Sequence, residues 1–324
     1  MGCFVLVIIA ALAIAMELFV CFVEYQRFGK SPLCLIQYQE GLRAKLGKLK
    51  AGPIGIWEKD DVLGYRHKPT TTGEHIHKNF HATYSTGEYG QRLADAPDDP
   101  NGRILFLGGS FTFGYGVNDT EPFPAVLGSG VWKDWEVINR AVSGWGTVHA
   151  LLTLEEELAA GRIPDLVIYS MIPHHLHRNY LRKSWMENIW AEGRAHPKVV
   201  VENGRPVHQG LAKPGDGLEE TSDLEQAEDE LFWAVLKRMQ KLCKDSGCPL
   251  KVALLPPSTD WQRYSPTFVK TLLDQEGLEM LDLSSLDLPF ILSDPHPTAE
   301  GHVILAEAFD QSSAGEFVRE RAAK

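Results

Sequence analysis

From residue 103 onward, short apolar runs alternate with stretches of helical spacing, and few architectures accept that pattern. Ile104–Leu107, Val137–Asn139, Leu166–Met171, Val252–Leu255 and Leu278–Leu281 read as strands. Phe123–Leu127, Thr147–Ala160 and Thr298–Phe309 read as helices between and after them. Such β-α alternation implies a parallel sheet with helices on both faces, a three-layer α/β/α arrangement. Ligands in these sheets bind outside the carboxyl ends of the strands. Chemistry is therefore expected where Leu107, Asn139, Met171 and Leu255 hand over to loops.

The 324 residues allow one large domain with appendages, or two modest domains. A net charge of −11, with no dense basic run, speaks against nucleic acid as a partner, because phosphate binding needs a basic face. The cysteines are Cys3, Cys21, Cys34, Cys243 and Cys248, and no CxxC pair suggests a zinc or thioredoxin-type motif. Cys243 and Cys248 are close enough in sequence to be bridged, which would imply an oxidising compartment. Two buried thiols are the other reading.

The N-terminal 1–24 segment reads as a transmembrane anchor or signal-anchor, since Gly2–Val23 is almost wholly apolar and long enough to cross a bilayer. Glu17 interrupts it at a cost of roughly 3 kcal/mol if it lies at mid-membrane. A cleaved signal peptide is the rival, with Ala13-Ile14-Ala15 as its cleavage site, although a basic leader is missing. Residues 25–54 form an amphipathic juxtamembrane connector, 55–100 a β-rich lead-in, and 101–324 the α/β domain, with an insertion at about 173–221. That insertion contains a hairpin, Val199–Val201 turning at Asn203-Gly204 into Pro206–His208. The basic residues following the apolar run would, taken alone, hold the body of the protein in the cytoplasm.

Three clusters sit at the expected handovers. Gly108-Gly109-Ser110-Phe111-Thr112-Phe113-Gly114 follows the first core strand and presents one hydroxyl from a glycine-dense turn. Neither GxGxxG nor a Gly-Lys-Ser phosphate loop is present. Val142-Ser143-Gly144 follows the second strand, and Gly144 N–H is the natural partner of Ser110 N–H in an oxyanion hole. Asp294-Pro295-His296-Pro297 precedes the last helix and supplies an imidazole with a carboxylate to orient it.

In this order the three clusters resemble the SGNH/GDSL hydrolase family over Arg103 to about Ala308. The lead-in segments Gly64-Tyr65-Arg66-His67-Lys68-Pro69 and Gly87-Glu88-Tyr89-Gly90-Gln91-Arg92 resemble those of members linked to envelope polysaccharides. The resemblance implies a flavodoxin-like SGNH fold and serine-dependent ester hydrolysis or O-acyl transfer without a cofactor. An acyl ester or glycan would be the substrate, and the catalytic domain would face an extracytoplasmic compartment. It makes Ser110 the nucleophile, His296 the base, Asp294 its orienting carboxylate, and Ser110 and Gly144 the backbone oxyanion donors. Three positions depart from the pattern. Gly109 stands where an Asp is usual, Asp294-Pro295-His296 is one residue short of Asp-x-x-His, and His174 stands where an Asn should follow the third strand. His174 is expected to supply the third oxyanion donor, with Asn179 reaching back as the other candidate.

Other readings stay open at this point. A degenerate, carbohydrate-binding member would keep the fold and lose the reaction. His75, His77 and His81, or His174, His175 and His177, would suit zinc, but no carboxylate-rich motif accompanies them, and exposed strand histidines are usually polar surface. Trp145, Trp185 and Trp190 would stack on sugars or serve as core. His302, inside the last helix, reads as packing.

Overall fold

A computed structural model describes residues 55–322, apart from 180, 214, 219–221, 259–264 and 275–276. The anchor and connector segments expected at 1–24 and 25–54 lie outside the described residues. Among those described, no helix is long and apolar enough to cross a membrane.

The lead-in forms two antiparallel pairs, β1 (Trp57–Asp60) with β2 (Gly64–His67) and β3 (Thr72–His77) with β4 (Phe80–Ser85). Asp60 closes the first turn by accepting from the N–H groups of Val62 and Leu63 at 2.8 and 2.7 Å. The core follows as β5 (Arg103–Gly108), α1 (Ser110–Phe113), α2 (Phe123–Ser129), β6 (Glu136–Asn139), α3 (Thr147–Ala159) and β7 (Leu166–Met171). The insertion supplies α4 (His174–Asn179), α5 (Lys183–Ala191) and the hairpin β8 (Pro197–Glu202) and β9 (Arg205–Leu211). Asn203 and Gly204 both take positive φ, 52° and 71°, as a two-residue hairpin turn requires. Helix α6 (Ser222–Ser246), strand β10 (Leu250–Leu254), α7 (Pro266–Leu273), β11 (Glu279–Asp282), α8 (Ala299–Gln311) and α9 (Ser313–Ala322) complete the chain.

Strands β5, β6, β7, β10 and β11 build one sheet in the order β11-β10-β7-β5-β6, every pairing parallel. The direction of progression reverses between β5 and β7, so the carboxyl ends of these two strands flank the crevice where such sheets bind ligands. Alternate residues of β5 face opposite cores, which is why its sequence reads as a continuous apolar run. Leu105 and Leu107 pack with Val148, Leu151, Val235 and Met239 of α3 and α6. Ile104 and Phe106 pack with Phe123, Leu127, Leu305 and Phe309 of α2 and α8. The expected three-layer arrangement is therefore present.

Cys243 and Cys248 are free and buried; the bridge that their spacing permits is not formed. The Cys248 thiol instead donates to the Cys243 carbonyl at 3.6 Å, a contact that seats both thiols where α6 meets β10. His75 is buried rather than exposed, with Nδ1 3.1 Å from Tyr84 Oη and its ring edge-on to Phe80 and Tyr115.

Arg92 ties the lead-in to the core. Its backbone N–H donates to the carbonyl of Asn139 at 2.8 Å, covering the free edge of β6. The buried guanidinium donates to the carbonyls of Phe113, Gly114, Val117 and Thr83 at 2.8, 2.7, 2.6 and 3.3 Å, and to Asp119 Oδ1 at 3.3 Å. It therefore clamps the carboxyl end of α1, the helix that Ser110 opens. Removing the cation strands this set of buried acceptors, and a loss of about 3–5 kcal/mol is expected. Arg92→Met should lower Tm by roughly 10 °C, while the same change at the exposed hairpin residue Arg205 leaves it in place. Equal melting temperatures for the two variants would contradict the clamp.

Candidate active site

Strand β5 ends at Gly108, and Gly109 turns the chain into α1 with Ser110 as its first residue. A Cβ on Gly109 would stand 2.6 Å from His175 Nε2 and 3.0 Å from the Trp145 carbonyl. An aspartate at this position would collide with the insertion helix, so the glycine there has a steric reason. Helix α1 lasts one turn and closes at Gly114, in the left-handed conformation with φ 82°. Ser110 N–H is the first of that helix, where the backbone offers no intrahelical acceptor.

Ser110 Oγ lies 2.8 Å from His296 Nε2, and His296 Nδ1 lies 2.5 Å from Asp294 Oδ1. The same Asp294 oxygen accepts from the His296 backbone N–H at 3.1 Å, closing a short turn. Asp294 N–H donates to the Ile291 carbonyl, and Ile291 N–H to the His296 carbonyl, both at 2.9 Å. These bonds, with Ser293 held at φ 57°, form the carboxylate-histidine turn despite its missing residue. The imidazole lies between Tyr115 and Phe111, with ring centroids 4.3 and 5.5 Å away. Burial lowers the His296 pKa from its ordinary 6.5, the bond to Asp294 and its charge oppose that shift, and the Arg178 charge adds to it. At neutral pH His296 is therefore an unprotonated base, with Asp294 fixing the tautomer that leaves Nε2 free to accept.

The loop after β6 is held on both sides. Tyr65 Oη donates to the Ser143 carbonyl at 3.0 Å, and Trp145 Nε1 donates to the Tyr65 carbonyl at 3.2 Å. Gly144 takes φ 91°, and a Cβ there would stand 2.5 Å from Tyr65 Oη, so only glycine fits. Arg178 Nη1 donates to the Trp145 carbonyl at 2.9 Å, and Asn179 Oδ1 accepts from Val148 N–H at 3.1 Å near the start of α3.

Helix α4 aims its buried face, His175, Arg178 and Asn179, at this loop and at Gly109. The imidazole against Gly109 thus belongs to His175, one residue beyond the expected position. His175 Nδ1 lies 2.9 Å from Tyr169 Oη, which donates to Thr147 Oγ1 at 2.8 Å. With the tyrosine proton engaged there, His175 Nδ1 is the donor and Nε2 is left as an acceptor. His174 is half-buried, packs edge-on to His177 at 6.1 Å, and is pushed by burial down to about 4. Asn179 is turned toward the start of α3, and its Nδ2 is buried with no acceptor among the described residues.

His302 is a packing residue, stacked on Phe123 and accepting its N–H at 3.3 Å. Trp145 is core, stacked on His149 at 5.1 Å, whereas Trp185 carries the Arg178 guanidinium at 4.6 Å. Among the described residues, no group of three His, Cys, Asp or Glu is placed to hold a metal. Arg178 and Arg194 join the site without having been singled out by sequence, as does His175, named there only as a possible metal ligand. Tyr65 lies in a lead-in segment already noted, and the i, i+3, i+4 spacing of His175, Arg178 and Asn179 marks one helix face.

No family model matches the sequence, and no curated protein matches it. Solved structures that match include a GDSL-like lipase and several esterases. A GDSL-like lipase from Bacteroides thetaiotaomicron is 13% identical, covering 68% of this chain and 92% of its own, with a TM-score of 0.41. A psychrotrophic esterase from a Pseudoalteromonas species is 15% identical, covering 66% and 97%, with a TM-score of 0.41. A carbohydrate acetylesterase family member from Sinorhizobium meliloti is 12% identical, covering 67% and 98%, with a TM-score of 0.40. Likeness at this level leaves the chemistry of the site to its own side chains.

Proposed function

We propose that the chain is a serine-dependent esterase of acyl esters, with small acyl groups such as acetyl the best fit. The observation that carries this reading is the continuous hydrogen-bond chain from Ser110 Oγ through His296 to Asp294. Ser110 Oγ attacks the ester carbonyl while His296 Nε2 takes its proton, and the imidazolium so formed is stabilised by Asp294. Ser110 N–H and Gly144 N–H receive the developing oxyanion. His296 then returns the proton to the departing alkoxide, and a second nucleophile, activated by the same base, clears the acyl-enzyme. Water gives hydrolysis; the hydroxyl of a glycan, including an envelope polysaccharide, would give acyl transfer through the same residues. An extracytoplasmic domain held by the N-terminal segment would suit that acceptor. The intact serine-histidine-aspartate chain argues against a degenerate binding protein.

A fluorophosphonate probe should label the wild type and leave Ser110→Ala unlabelled, with His296→Ala labelling slower by roughly 10²–10⁴. A wild type that neither labels nor turns over an aryl acetate would retire the reading.

The lowered pKa of His296 fixes a pH profile. The base works only when neutral, so kcat/KM should be full at pH 7 and fall with acid through an inflection below 6.5. Asp294 opposes the downward shift, so Asp294→Asn should move that inflection to still lower pH while reducing kcat. An inflection that moves upward in Asp294→Asn would contradict the pairing.

For the third oxyanion donor, the uncommitted Nδ2 of Asn179 supports that residue over His174, whose neutral ring is half-exposed. Asn179→Ala should cut kcat by roughly 10²-fold and His174→Ala far less. The opposite order of effects would return the role to His174.

A further inference from the structure

Three arginines are buried almost completely among the described residues, and one of them differs from the others. Arg92 has Asp119 and its ring of carbonyls, and Arg140 bonds Glu156 and Glu157 at 3.0 and 3.1 Å. Arg178, only 6% exposed, has no carboxylate partner among the described residues. Among the described residues its one hydrogen bond goes to the Trp145 carbonyl, its Nε has no acceptor, and its Cζ lies over the Trp185 ring. A second guanidinium approaches the same loop from the lead-in side. Arg194 stacks over Trp57 and Tyr65, at 4.2 and 4.7 Å, and its Nε is also without an acceptor. It also hydrogen-bonds the Tyr65 side chain, and among the described residues its single carboxylate contact is with Glu192, whose side chain is more than half exposed.

The two cations flank neighbouring glycine turns. A Cβ on Gly144 would stand 3.4 Å from Arg194 Nη1 and 3.7 Å from Trp185 Cζ2, and a Cβ on Gly109 would stand 3.3 Å from Arg178 Nη1. Burial lowers the pKa of each, to about 10 for Arg178, and the Arg194 charge adds to the shift on Arg178. The Arg178 charge reaches His296 as well, so this cation lies within electrostatic range of the reacting atoms. Two desolvated like charges with one exposed counter-ion are costly unless an anion joins them. A planar guanidinium fork seated over an aromatic ring is suited to recognise a carboxylate in two-point fashion.

We propose that the site is specific for esters carrying a carboxylate, which Arg178 and Arg194 bind beside Gly144 while Ser110 attacks the ester carbonyl. This rests on the esterase reading and narrows it to acidic substrates, such as O-acetylated acidic sugars or hydroxy acids. The carboxylate forms charge-assisted hydrogen bonds with the free guanidinium N–H groups and takes no part in bond making. Arg178 and Arg194 are therefore specificity residues.

The test compares kcat/KM for meta-acetoxybenzoate with that for its neutral isostere meta-acetoxybenzamide, using the full chain. The wild type should prefer the carboxylate by roughly tenfold or more, and Arg178→Gln or Arg194→Gln should bring the ratio toward one. The two variants guard against one failing to fold. A second readout needs no turnover: benzoate should slow fluorophosphonate labelling of the wild type, benzamide should not, and the variants should lose the difference. Equal handling of acid and amide by the wild type in both readouts would overturn the proposal. So would an undiminished preference in both variants, or an Arg178→Gln loss that strikes both esters alike. A wild type that resists the probe and both esters would instead bring down the esterase reading itself, and this proposal with it.

Discussion

The 2.8 Å contact between Ser110 Oγ and His296 Nε2 joins residues 186 positions apart, and much of the fold exists in the form needed to close it. A serine hydroxyl at neutral pH is a poor nucleophile, so the contact has value only if the imidazole is neutral, correctly tautomerised and fixed in place. Asp294 supplies the tautomer, burial between Phe111 and Tyr115 supplies the neutrality, and the Ile291–His296 turn fixes the loop. On the other side, β5 delivers Ser110 at the point where the strand order reverses. The separate pieces are ordinary; their convergence is what topology provides.

Lead-in and insertion act on this centre from opposite sides. Arg92 grips the carbonyls at the end of α1, and Tyr65 holds the carbonyl of Ser143, so the lead-in strands buttress both the Ser110 turn and the glycine loop. The insertion does the same through α4, where Arg178 holds the Trp145 carbonyl and Asn179 the Val148 N–H. Preorganisation of this sort is what makes backbone donors effective at a developing oxyanion, because they need not reorient during the reaction.

The sheet was legible because buried parallel strands carry their signature in a few consecutive residues: Leu166–Met171 was read with its observed limits. The serine, histidine and aspartate were legible for a related reason, since each sits in a glycine- or proline-marked turn at a strand end or helix start. Helix α6 escaped notice although Leu231, Val235 and Met239 recur at four-residue spacing, because its charged residues mask the stripe. The proposed third oxyanion donor was harder still to read. Helix α4 begins within three residues of β7, so a strand-based count lands on His174 while the helix turns His175, Arg178 and Asn179 inward. Whether Arg178 has a counter-ion is a tertiary fact, and no local pattern announces it. The fate of Cys243 and Cys248 was equally undetermined, for spacing permits a bridge without requiring one.

The proposed reaction passes through a covalent intermediate on one named oxygen, Ser110 Oγ. Rapid mixing with an aryl acetate, acid quench and peptide mass analysis would look for it directly. The account predicts one acetyl group on the peptide containing Ser110, absent from Ser110→Ala and long-lived in slowly deacylating variants of His296. Turnover of the ester with the acetyl group on another residue, or with turnover undiminished in Ser110→Ala, would contradict it.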